Sequence, residues 1–79
     1  MSPQDLWDQL RKQPFEPFRI WLSDGTLYEI QHPELVMVGR TSAIVGVSEE
    51  RRGPPVYDRV TTVALSHIVR MEPIAGQTA

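Results

Sequence analysis

Apolar and polar residues alternate on both sides of Ser23-Asp24-Gly25 in the stretch Phe18-Arg-Ile-Trp-Leu-Ser-Asp-Gly-Thr-Leu-Tyr-Glu-Ile30. That is the local pattern of two antiparallel strands joined by a tight turn. Loop length then decides which side chains share a face. A two-residue loop of Asp24-Gly25 sets Ile20 opposite Glu29 and mixes apolar with charged residues. A three-residue loop of Ser23-Asp24-Gly25 sets Leu22 near Thr26, Ile20 near Tyr28 and Phe18 near Ile30. The second gives one clean inner face of Phe18, Ile20, Leu22, Tyr28 and Ile30, with Trp21 outside. It also puts Gly25 where a type I turn with a G1 bulge needs a left-handed residue. The three-residue loop is the expected one.

Before the hairpin, Ser2-Pro3-Gln4-Asp5 reads as a helix start, with Ser2 as cap, Pro3 at the first helical position and Asp5 in the first turn. Leu6, Trp7 and Leu10 follow at helical spacing, and Pro14 ends the segment. The helix is expected over residues 2–13, docked through Trp7 and Leu10, because a segment this short does not hold helicity alone in water.

After the hairpin, His32-Pro33-Glu34 reads as a bend or bulge, since proline cannot donate to a ladder. Leu35 to Val38, Ser42 to Ser48 and Val56 to Leu65 are the next strands. Ser66-His67 suits one 3₁₀ turn leading into a last strand, Ile68 to Glu72. Glu49 to Pro55 reads as a charged flexible loop, and residues 75–79 as a loose tail. The expected class is mainly β: a short N-terminal helix, then five strongly bent antiparallel strands over residues 17–74. A flat sheet this small cannot bury a face of each strand, so closure into an SH3-like or Sm-like barrel is the expected architecture.

The chain has 79 residues and no cysteine. One domain spanning 1–79 is expected, with a modest core that association would supplement. A disulfide framework, a thiolate metal site and a cysteine nucleophile are excluded. No apolar run has the length of a signal segment or membrane span, so a cytoplasmic location without membrane contact is expected. The net charge is −2, against a basic excess on proteins held to phosphates. Every basic residue but Lys12 is an arginine, the better fork for phosphate or carboxylate.

In that order, the helix, Phe18-Arg-Ile-Trp-Leu-Ser-Asp-Gly25, the bent second strand and Val60-Thr-Thr-Val-Ala-Leu-Ser-His-Ile-Val-Arg-Met71 resemble the Sm-like fold. The nearest likeness is to the bacterial Hfq group of RNA chaperones, where a histidine-containing link joins the last two strands, as Ser66-His67-Ile68 does here. Ser66 and Leu65 stand where that group carries a lysine and a tyrosine. Pro14-Phe15, Ser23-Asp24-Gly25, His32-Pro33-Glu34 and Leu65 to Glu72 also resemble a set of small uncharacterised bacterial proteins. The resemblance implies a ring-forming barrel that assembles by strand-edge pairing, and single-stranded RNA as an alternative partner.

The expected function is therefore a non-enzymatic interaction module that associates with itself; an Hfq-like RNA binder ranks second, and a small metal protein or enzyme far behind. The seam is expected between Ile68 to Glu72 of one copy and Ser42 to Ser48 of the next, through Ile44, Val45, Val47, Ile68 and Arg70. Binding candidates are Trp21 and Arg19 on the outer hairpin face, with His67, Arg59 and Arg70. For each the bland alternative is structural: a turn-satisfying His67, a Trp21 covered by the helix, solvated arginines. His32, Glu34, Asp58 and His67 lack metal-ligand spacing, so no metal or other cofactor is expected. No nucleophile elbow or phosphate loop is present, and a filled small barrel leaves no substrate cavity.

Overall fold

The computed structural model describes residues 1–47 and 58–74. The expected loop from Glu49 to Pro55, the first residues of the strand read from Val56, Ser48 and the 75–79 tail lie outside the described residues. One helix, α1 (Pro3–Leu10), precedes six strands: β1 (Phe18–Leu22), β2 (Leu27–Ile30), β3 (Val36–Val38), β4 (Ser42–Val47), β5 (Arg59–Ala64) and β6 (Ile68–Pro73).

The hairpin forms in the three-residue-loop register. Phe18 faces Ile30, Ile20 faces Tyr28 and Trp21 faces Leu27. The Leu22 N–H donates to the Thr26 carbonyl at 2.8 Å and closes the loop. Gly25 sits at φ +89°, the left-handed backbone that a side chain resists. The turn is pinned further by Asp24, whose Oδ1 accepts the Thr26 N–H at 2.9 Å. The inner residues Phe18, Ile20 and Ile30 are buried, with Leu22 and Tyr28 half-buried beside them.

Two elements differ from expectation. The bend at His32-Pro33-Glu34 is a full 3₁₀ turn, Pro33–Leu35, so it divides what the pattern reads as one strand into β2 and β3. Hence the described residues form six strands where five were expected. They pair as two three-stranded antiparallel sheets, β2-β1-β6 and β3-β4-β5, and no ladder among the described residues closes them into a barrel. The second 3₁₀ turn, Leu65–His67, carries the chain from β5 to β6, which lie in different sheets.

The helix is shorter than expected and docks through a different pair. The Ser2 hydroxyl accepts the Asp5 N–H at 3.1 Å, but the helix stops at Leu10. Leu6 and Leu10, four residues apart and so on one face, are buried; Trp7, the expected anchor, is 44% exposed. The Arg11 guanidinium lies 5.1 Å from the Trp7 ring centre instead. Leu6, Leu10 and Leu35 join residues of both sheets, among them Phe18, Val45 and Ile68, in one core. Full burial of a ring like Phe18's is worth about 1.5–3 kcal/mol. No helix among the described residues is long and apolar enough to cross a membrane.

Candidate functional site

The outer face of the first sheet gathers three of the five predicted binding residues. β1 runs between β2 and β6, so Arg19 faces Glu29 on one side and Glu72 on the other, while Trp21 faces Leu27 and Arg70. Arg19 Nε lies 3.2 Å from Glu29 Oε2, and its Nη1 3.8 Å from Glu72 Oε1. The Trp21 indole N–H donates to Glu72 Oε1 at 2.7 Å. The Arg70 guanidinium stacks 4.7 Å from the Trp21 ring centre, and its Nε lies 3.9 Å from Glu72 Oε2. Two arginines thus meet two glutamates, and the ladder has no net charge. One face of the indole is already covered by a cation, the arrangement that cation–π attraction favours. This is a self-satisfied surface, with Glu72 as its hub.

His67 and Arg59 stand elsewhere. Arg59 opens β5 opposite Val47 in the second sheet. His67 sits at the hairpin tip, where its carbonyl accepts the Ser23 N–H at 2.8 Å and its Nδ1 lies 3.0 Å from Ser23 Oγ. A cleft of about 230 Å³ opens there between the tip and β5, lined by Ser23, Asp24, Tyr28, Thr62, Ala64 and His67 among others. The Asp24 carboxyl is held below the usual carboxylate range, first by the Thr26 hydroxyl and then by the Thr26 N–H, with a smaller contribution from His67. Asp24 accepts from the Thr26 N–H within its own turn, and Ser23 Oγ is the side-chain partner of the His67 imidazole. Ser23 escapes sequence reasoning because its partner is 44 residues away. Among the described residues no group of three His, Cys, Asp or Glu could hold a metal ion.

The predicted seam is corrected by strand order. β4 lies between β3, which pairs with Ala43 to Val45, and β5, which pairs with Ser42 to Val47, so the backbone groups of Ile44, Val45 and Val47 already have strand partners. Val45 is buried in the core, as is Ile68 from the other side of the expected seam. The pattern of β4 looked suited to an edge because it is β-branched and uncharged; those same properties suit the middle of a sheet.

The edges that remain open are unequal. β2 has four residues and carries Glu29, and β3 has three and packs against α1. β6 carries Arg70 and Glu72 and ends in Pro73, which has no N–H. β5 has six residues, Arg-Val-Thr-Thr-Val-Ala, with no charge after Arg59 and no proline. Beside it the outer face of the second sheet is apolar: Met37 is 68% exposed and Val60 60%, with Ile44 between the strands that carry them. Natural edges are usually guarded by charge, proline or brevity. β5 has none of these beyond its first residue.

Comparison of the chain with known protein families, with curated proteins and with solved structures finds no match.

Proposed function

We propose that this chain is a cytoplasmic, non-enzymatic interaction module that associates with itself through an open strand edge. The observation that supports this reading is the unguarded edge of β5 beside an uncharged apolar sheet face. Pairing would remove both liabilities at once, satisfying the backbone and covering apolar side chains. On this reading the two sheets are halves of a small SH3-like or Sm-like barrel. The shared core and the Pro33–Leu35 bend, which carries the chain from one sheet to the other, support that view. Light scattering over a concentration series tests the module directly. A mass above the 9.0 kDa of one chain is expected; a monomer at every concentration overturns the proposal.

RNA binding is the second reading, supported by Trp21, Arg19 and Arg70 lying on one face. Glu29 and Glu72 weaken it, because they cancel the charge that phosphates would need. Titration with labelled oligo-U and oligo-A at low salt decides it, and absence of binding there ends the reading.

A further inference from the structure

The hydrogen-bond pattern of the second sheet fixes which backbone groups of β5 are on offer. In an antiparallel ladder, alternate residues exchange both bonds with the facing strand, and those between turn N–H and C=O the other way. The Gly39 N–H donates to the Ser42 carbonyl at 2.7 Å, so Ser42 and Ile44 turn toward β3, and Ala43, Val45 and Val47 toward β5. These three face Val63, Thr61 and Arg59. Independently, the Leu65 N–H donates to the Thr41 carbonyl at 2.9 Å, which gives the same parity from the other end of the ladder. The N–H and C=O groups of Val60, Thr62 and Ala64 therefore point away from β4, and among the described residues no strand pairs that edge.

We propose that two copies of this chain pair β5 against β5 about a two-fold axis at Thr62, making one six-stranded antiparallel sheet. This rests on the self-association reading and names its edge, register and symmetry. Three observations favour a second copy as the occupant. First, the edge is its own complement. With Thr62 opposite Thr62, Val60 falls opposite Ala64 in both directions, and every outward N–H and C=O of the three residues finds its match. Second, the register keeps like faces together. The row Met37, Ile44, Thr62 on the outer face continues into Thr62, Ile44, Met37 of the second copy, so an uncharged threonine pair at the axis is flanked on both sides by apolar side chains. Third, it needs no charge in the pairing, because Arg59 falls beyond the last pair. A two-fold interface closes at two copies, unlike head-to-tail edge pairing, which builds rings or fibres.

The chain has no cysteine, so a single introduced thiol reports its own environment. In the proposed register Thr62 lies about 5.5 Å from its symmetry mate between Cα atoms, within disulfide reach. Val60 lies about 14 Å from its own mate and opposite Ala64 instead. Under mild oxidation Thr62→Cys should cross-link to a dimer and Val60→Cys alone should not, whereas a mixture of Val60→Cys and Ala64→Cys chains should. Thr62→Lys, which sets two ammonium groups together at the axis, should halve the mass seen by light scattering while leaving the far-ultraviolet circular dichroism of the fold unchanged. An assembly that persists in Thr62→Lys, that exceeds two copies, or that fails to cross-link at Thr62 overturns this register and leaves the general self-association reading standing. A monomeric wild-type chain, including one that takes up an extended peptide at this edge instead, overturns both.

Discussion

At the scale of single residues, the turn and the outer ladder carry the particular chemistry of this chain. Asp24 titrates lower in the folded state than its ordinary value of 3.8, because the Thr26 hydroxyl and N–H stabilise the carboxylate. Near and below that value the unfolded chain binds more protons at this site, so stability falls as the pH is lowered there. The contribution of Asp24 is therefore complete above about pH 4–5 and is lost as the pH drops through its depressed folded-state value. Urea unfolding of wild type and Asp24→Ala should show a stability gap at pH 6 that narrows by pH 3; a gap that widens on acidification would refute the assignment. The acceptor role of Asp24 went unread in the sequence although its signal is local, since aspartate before glycine in a tight loop commonly binds the backbone two residues on. The bond from Trp21 to Glu72 has no local signal. Fifty-one positions separate the two, and only the pairing of β1 with β6 brings them to 2.7 Å.

At the scale of elements, local signals set where strands and turns begin, and packing sets what they touch. Ser2, Pro3 and Asp5 predict the start of α1 correctly, because capping is a matter between neighbours in the chain. Ser2→Ala should lower stability by about 1 kcal/mol, with Ser2→Asp retaining most of it. Chemical denaturation measures this, and a loss of only a few tenths would mean that Leu6 and Leu10 hold the helix without its cap. The docking face was misread, since Trp7 and Leu10 fit the helical period about as well as Leu6 and Leu10 do. Gly39 adds a tight turn before β4, where a Cβ would lie 2.8 Å from the Ser42 carbonyl oxygen. The 3₁₀ turn at Pro33–Leu35 was foreseen as a bend but not as a break between sheets. Proline announces that a ladder is interrupted; whether the chain rejoins the same sheet depends on what the next residues can pair with.

At the scale of the whole molecule, the division into two sheets leaves four strand edges among the described residues, and β5 is the least guarded of them. A chain this small buries a limited share of its surface, so covering β5 and the apolar face beside it is a direct route to added stability. The midpoint of thermal unfolding should therefore rise with protein concentration in wild type, as mass action requires when the folded state associates. Thr62→Lys should abolish that dependence. A midpoint independent of concentration in wild type counts against association at this edge.

The sequence by itself determined the mainly β class, the hairpin register, the capped helix start, the interruption at Pro33 and the 3₁₀ link at Leu65–His67. Each of these follows from residues within a few positions of one another, where sterics, side-chain parity and proline's missing donor act directly. Only the tertiary structure decided that β4 is central and β5, among the described residues, an edge, that Trp21 belongs to a neutral ladder, and that Ser23 meets His67. Those outcomes depend on which strand completes which sheet, and the local composition of β4 and β5, both β-branched and nearly uncharged, is compatible with either place.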